Sequence, residues 1–403
     1  MNKKNALFLL FLVWPFSGLI SGVKYFEYPF GRRLLVMFFA FMGLTSLPVG
    51  DLDRYKERFY FESDMSLSEA FGYVFGFVEG KSFVLLGNVF FGPILSFHNF
   101  IFAIYFGFFG YFLVQTIYQI HKYVNVKKHS LFGDVFFISV ILFYSIRTIG
   151  NFAFFSGLIF IIYHLFNYTK SLNKKHLYLL GIAPFFHVGL IVFLIIPVFI
   201  LLFKNKIIPS IIFFILFSLV PFNSILPFVQ SNNSILEGTA VESKYQSYGT
   251  SDAKERMDLR YEIRNAGHNW KLRTLEIFDF FAKRILIPFG LFLVFIYRKK
   301  LLSNSTLKVF FSICILLLGL SNQMLYFSQG ERYVYISSFF GIVLFFLIFS
   351  TNRFNTIFLN YLKILVPVSL GYGVMALIAT HEIMSIYFFV SNFFIEFVRI
   401  TMS

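Results

Sequence analysis

Four short polar clusters interrupt an otherwise apolar chain, and each carries side chains that can do chemistry. Gly50-Asp51-Leu52-Asp53-Arg54-Tyr55 offers two carboxylates, either of which can act as a general base toward a sugar hydroxyl or hold a divalent ion with a diphosphate. A solvated loop end, with Asp53 paired to Arg54 or Lys56, accounts for the same residues equally well. In residues 144–158, Arg147 and Asn151 fall in a very short turn between two apolar runs. A guanidinium grips phosphate oxygens through two parallel hydrogen bonds and stays charged in any surroundings, whereas the plainer account is an arginine snorkelling to an interface. His187 follows Pro184 inside residues 181–191. A lone histidine is more often a buried hydrogen bonder than a catalyst, but its proline and glycine neighbours point to a broken helix beside a cavity. The last cluster, residues 326–340, holds Glu331, Arg332, Tyr333 and Tyr335: a cation, an acid or base, and aromatic faces suited to sugar rings. Lys283 and Arg284, inside another apolar run, are further candidates for a phosphate contact.

The elements that must position these residues are membrane helices. Of 403 residues, 58% are hydrophobic and only 14% charged, which excludes ordinary globular usage. Apolar windows of roughly 16 to 24 residues recur along the chain, the length a helix needs to cross hydrocarbon. The expected class is all-α and polytopic, one membrane domain over 1–403 with about 11 to 13 transmembrane helices. Candidate spans are 6–23, 34–49, 97–120, 132–147, 151–168, 178–190, 191–203, 207–222, 277–297, 308–325, 333–350, 357–379 and 383–399. Lys and Arg concentrate in five short connectors that fall on one side if the spans alternate, so that side is internal, and all four polar clusters face out. The first outer segment, 50–96, contains Ser66 and Glu69 at capping-box spacing, followed by Leu67, Phe71, Val74, Phe75 and Val78 on one face; this predicts an interfacial amphipathic helix over 66–79. A long outer loop, 223–276, is rich in interleaved charge and suits a lid. The net charge of +15 is dispersed among connectors, which fits membrane topology and argues against a nucleic-acid partner. The single cysteine, Cys314, rules out an intramolecular disulfide or a cysteine metal cluster, and no metal or cofactor is expected.

The succession of Gly50, Asp51 or Asp53 and Tyr55, then Ile146, Arg147 and Asn151, then Ile182, Ala183 and His187, then Arg332 and Tyr333, resembles the EpsG-type branch of Wzy polysaccharide polymerases over roughly residues 30–350. The chain departs from that pattern in reading Gly-Asp-Leu-Asp in the first motif and Val188-Gly189 after the histidine. The resemblance implies a bacterial inner-membrane enzyme that joins repeat units carried on undecaprenyl diphosphate at the periplasmic face. Its partners would be the lipid-linked oligosaccharide and membrane lipid, with a chain-length regulator left open. On that reading Arg147 and Arg332, with Arg284 in reserve, bind the donor diphosphate; Asn151, Tyr333 and Arg54 contact substrate; and Asp51, Asp53 or His187 is the base. Two rivals fit part of the pattern: a GT-C-type glycosyltransferase using a polyprenyl-phosphate sugar, and a lipid-linked oligosaccharide flippase or other transporter. A transporter ordinarily shows internal repeats and charge near mid-membrane, neither of which this sequence displays.

Overall fold

The structure is a computed structural model that describes residues 3–47, 51–76, 80–123, 138, 140, 151–171, 173–191, 193–194, 199, 202–203, 206–219, 270–324, 330–350, 356–379 and 391–402. Among these residues the chain is helical throughout, with no strand. In chain order the helices are α1 (Lys3–Val13), α2 (Phe16–Lys24), α3 (Pro29–Thr45), α4 (Asp51–Glu62), α5 (Leu67–Phe75), α6 (Ser82–Leu95), α7 (His98–Tyr123), α8 (Phe152–Ser171), α9 (Lys175–Leu180) and α10 (Ala183–Phe186). A 3-10 turn, Val188–Leu190, follows α10. Then come α11 (Ile207–Leu219), α12 (Trp270–Asp279), a π-helical turn Phe280–Leu286, α13 (Ile287–Ile296), α14 (Arg298–Leu301), α15 (Ser305–Met324), α16 (Gly330–Ser350), α17 (Thr356–Ala379) and α18 (Phe393–Met402). Among the described residues three stretches, His98–Lys122, Phe152–Ser171 and Thr356–Ala376, are long and apolar enough to cross a membrane by length and composition.

The chain divides into two compact units. The first comprises Met1–Tyr168, Asn173–Leu190 and Ala376–Ser403; the second comprises Thr169–Leu172 and Ile191–Met375.

In the first unit α3 lies along α7, and small residues set how close they come. A Cβ at Gly43 would stand 2.3 Å from the Phe102 carbonyl oxygen, and one at Gly110 would stand 2.6 Å from Phe39 Cβ. Both distances are inside any tolerable contact, so glycine is what lets the two backbones approach. Phe38, Phe39, Phe41 and Met42 of α3 and Phe102, Phe106 and Phe109 of α7 are all buried, and Phe39 meets Phe109 edge to face at 5.7 Å. Polar groups pin both ends of the pair. Asn99 donates to the Leu44 carbonyl at 3.0 Å, filling an orphaned acceptor at the end of α3. At the opposite end the Arg32 guanidinium lies 3.7 Å over the Tyr118 ring and donates to the carbonyls of Phe26 at 3.1 Å and Glu27 at 2.8 Å.

Several element boundaries differ from those expected. The first span is two helices broken at Trp14-Pro15, because proline supplies no amide and its ring clashes with the preceding turn. The interfacial segment forms α5, whose capping box has Ser66 Oγ accepting from the Glu69 amide and Glu69 Oε2 accepting from the Ser66 amide, both at 3.3 Å. Its apolar residues divide between two faces. Ala70 and Val74 pack with Leu85 and Val89 of α6, while Leu67, Phe71 and Phe75 point outward. Helix α6 itself was not expected, since its fourteen residues are too few to span and Gly87, Asn88 and Pro93 interrupt their apolar run. The stretch 178–190 is not one helix but α9, α10 and a 3-10 turn. The run expected over 277–297 begins instead at Trp270, because Lys271, Arg273 and Glu276 lengthen a helix without being apolar. The last expected span, 383–399, is described only from residue 391, and there it holds a ten-residue helix with Glu396 fully buried and donated to by Arg399 Nε at 2.8 Å. The long loop lies outside the described residues as far as 269.

In the second unit α15 packs on α11 and α16. Ser337 donates to the Cys314 carbonyl at 3.0 Å, and the Cys314 thiol is fully buried.

Glycine geometry yields the first prediction. Gly43→Val is expected to abolish the monodisperse folded protein, because its side chain meets the α7 backbone. Gly72→Ala, where a Cβ meets nothing within 4 Å, is expected to raise stability by up to about 1 kcal/mol through helix propensity. Size-exclusion profiles and thermal melts of the purified variants check both.

Candidate functional site

Helix α4 converts the charged stretch into an amphipathic element. Leu52, Tyr55, Phe59 and Glu62 recur at helical spacing on its buried side, while Asp53, Arg54 and Glu57 are exposed. The expected loop end is therefore the first turn of a helix. Asp53 and Arg54 stand on its outward face; Asp51 opens the helix, and its side chain lies outside the described residues.

The inward face is held by a buried polar chain. Asn88 Nδ2 donates to Glu62 Oε2 at 2.8 Å, Arg58 Nε donates to Glu62 Oε1 at 2.7 Å, and an Arg58 Nη2 contact completes an ion pair with the same oxygen. The Tyr105 hydroxyl lies 2.8 Å from Asn88 Oδ1 and 2.9 Å from the Val84 carbonyl, its one proton shared between two acceptors. With both its oxygens engaged, Glu62 anchors α4 to α6, and through Asn88 to α7. A carboxylate buried to this depth persists because it is paired and hydrogen-bonded.

Tyr55 leads from this network to the start of α8. Its ring packs 4.5 Å from Phe152, and Phe152 also stacks on Tyr105 at 4.8 Å. Asn151 immediately precedes Phe152, and its Oδ1 is buried with no hydrogen-bond partner among the described residues. Lys81 Nζ stands 4.1 Å over the other partner in this stack, the Tyr55 ring. The residue before it, Gly80, accepts a hydrogen bond from the Val188 amide at 2.8 Å. That bond brings His187 into the same neighbourhood, where the edge of its ring system meets Phe154 at 5.3 Å. The first turn of α8 is thus contacted by Tyr55, at Phe152, and by His187, at Phe154, while the Val188–Gly80 bond ties the segment after His187 to the residue before Lys81.

His187 sits where the helix breaks, extended at φ −161° and ψ 125° between α10 and the 3-10 turn. It is 4% exposed, and its Nδ1 accepts the Gly189 amide at 3.0 Å, which places the ring proton on Nε2. In this tautomer the Nδ1 lone pair is taken up by the Gly189 amide. The expected broken helix is present.

Of the residues singled out in the sequence, Tyr55 and His187 each contact the first turn of α8, at Phe152 and Phe154, and Asn151 immediately precedes that turn. Arg147, four residues before Asn151, lies outside the described residues. Lys81, Arg58, Glu62 and Asn88 were not foreseen. Asn88 carried a signal: an amide alone in an apolar helix needs a buried partner. Lys81 carried one as well, as a single cation between an interfacial helix and an apolar run.

The second unit has its own polar cluster. Lys283, 6% exposed, forms an ion pair with Asp279 one turn earlier, and its ammonium lies 4.2 Å over the Tyr335 ring and 4.9 Å over the Tyr372 ring. These contacts occur on the π-helical turn, whose Leu286 carbonyl accepts from the Tyr361 hydroxyl at 2.9 Å. Single-turn π segments tend to occur where a helix has been adapted to a function. Arg284 is exposed, with no ion pair among the described residues. Arg332 and Tyr333 belong to the first turn of α16, and their side chains lie outside the described residues. Among the described residues no group of three or more His, Cys, Asp or Glu is placed to hold a metal ion.

No family model matches the chain, and neither the search of curated proteins nor the search of solved structures returned a match.

The buried network sets the second prediction. Asn88→Ala removes the donor to Glu62 and the acceptor of Tyr105, and is expected to cost about 1 to 3 kcal/mol. Asn88→Asp, which sets a second carboxylate against Glu62, is expected to cost more. Denaturant titration of the purified protein in detergent ranks the two, and equal stability of wild type and Asn88→Asp contradicts the network.

Proposed function

We propose that this chain is a polysaccharide polymerase of the Wzy type, joining undecaprenyl-diphosphate-linked repeat units at the periplasmic face of a bacterial inner membrane through about 11 to 13 spans. The observation that supports the reading is that Tyr55 and His187, two positions of the family pattern, each contact the first turn of α8, next to a third, Asn151, and that a lysine lies over the Tyr55 ring.

That arrangement suits a departing diphosphate. A helix N-terminus presents unsatisfied amides and a partial positive charge, and α8 has no acidic residue in its first turn to cancel it. Lys81 adds a full charge, His187 offers its Nε2 proton, and Asn151 offers a buried amide. Arg147 precedes this point by four residues and supplies the bidentate contact. In the transfer, the acceptor hydroxyl attacks the anomeric carbon of the donor glycan and the bond from that carbon to the diphosphate oxygen breaks. The hydroxyl proton passes to a carboxylate. Asp51 and Asp53, in the opening turn of α4, are the carboxylates of the family pattern available for that role. The leaving undecaprenyl diphosphate carries the new charge, and the cations stabilise it as it forms.

One observation favours a second reading. Helix α4 opens on Asp51 and Asp53, and the capped helix that follows it turns Leu67, Phe71 and Phe75 outward, as in a GT-C-type glycosyltransferase with an acidic first loop and an interfacial helix. Such an enzyme adds one sugar and loses activity in EDTA, whereas the polymerase forms a ladder and is indifferent to chelator.

The third prediction follows. Arg147→Ala, Arg332→Ala and Lys81→Met, each at normal protein level, are expected to cut transfer roughly a hundred- to a thousand-fold, leaving a single repeat on the cell surface and no long ladder. Arg147→Lys is expected to recover only part of the loss, because it keeps the charge without the fork. Wild-type ladders in the arginine variants overturn the assignment, and repeats trapped inside the cell identify a flippase instead.

A further inference from the structure

The Lys283 cluster lies in the second unit, and its geometry has a consequence of its own. We infer that Lys283 is a positioning residue for the first turn of α16, the turn that contains Arg332 and Tyr333; the inference rests on the reading of Arg332 as a diphosphate contact. Tyr335 follows Arg332 by three residues, the spacing at which positions share a helix face. Lys283 holds the Tyr335 ring from one side, and its own ammonium is fixed by the Asp279 ion pair and by the Tyr372 ring of α17.

Two features make this a built clamp rather than a passing contact. The clamp spans three elements, since Asp279 and Lys283 lie on the α12–α13 run, Tyr335 on α16 and Tyr372 on α17. The π-helical turn also supplies its register. The extra residue in that turn displaces the run by about 100° relative to an uninterrupted α-helix, and Tyr361 answers the carbonyl at its end. A buried ammonium on an apolar element persists because it is paired, and here the Asp279 ion pair fixes the ammonium where both tyrosine rings meet it. That contact orients the helix start from which a guanidinium must reach a phosphate.

The test reads position and activity separately, using the full chain in detergent or nanodiscs. Hydrogen exchange is measured at the amides of residues 334–338, the first that can be protected by carbonyls of the opening turn. Lys283→Met is expected to speed that exchange at least ten-fold while exchange in α15 stays unchanged, and Lys283→Arg, which keeps a cation over the rings, to restore it. If Lys283→Met does not fold, Tyr335→Leu removes the ring and leaves the ion pair, with Tyr335→Phe as the conservative control expected to match wild type. Unchanged exchange in Lys283→Met, or in Tyr335→Leu where that variant substitutes for it, overturns the inference, as does failure of the conservative variant to restore it. The same variants are assayed for polymer length, where lower kcat with KM for the lipid-linked repeat within two-fold is the expected result. Faster exchange with wild-type ladders sustains the clamp and overturns instead the assignment of Arg332 to the diphosphate.

Discussion

A polar group buried in an apolar chain has no water to answer it, so another part of the protein must do so. In the first unit that constraint is met by the Asn88 carboxamide, which gives a hydrogen bond to Glu62 and takes one from Tyr105. The rest of the arrangement depends on it. Asn88 fixes Glu62, Glu62 fixes Arg58, and α4 is thereby held with Tyr55 inward and Asp53 outward. Tyr105 stacks on Phe152, which sets the start of α8 against the same tyrosine. A single amide thus coordinates three helices and the residue that precedes a fourth.

The aromatic content of the chain serves the same geometry. Phe152 touches Tyr55, Tyr105, Phe102 and Phe106. Rings packed edge to face or offset each add about 0.5 to 1.5 kcal/mol beyond burial, and their fixed angles give an apolar core directional contacts it would otherwise lack. The 63 phenylalanines therefore include a good number that set positions inside the protein as well as those that face outward.

What the sequence made legible was local. The capping box at Ser66 and Glu69, the apolar windows of α3, α7, α8, α15 and α17, and the broken segment at Pro184 all arise from spacing or from backbone chemistry within a few residues. Pro15 was equally local, yet hydropathy read across it and merged two helices. The contacts that escaped were those between distant positions: Glu62 with Asn88, Lys81 with Tyr55, Lys283 with Tyr335. Periodicity shows that a residue faces inward but not what it will meet there. The charge-rich stretch at 51–62 is the plainest case, since its outer carboxylate drew notice while its inner glutamate, invisible as such in the sequence, organises the site.

One feature of the second unit reaches beyond the fold. The sole thiol in the chain, that of Cys314, is sealed between helices. Oxidants and maleimides find no exposed thiol at that position in the folded protein. The native chain is thus already inert toward sulfhydryl reagents, and it cannot crosslink to a neighbour through sulfur without first coming apart.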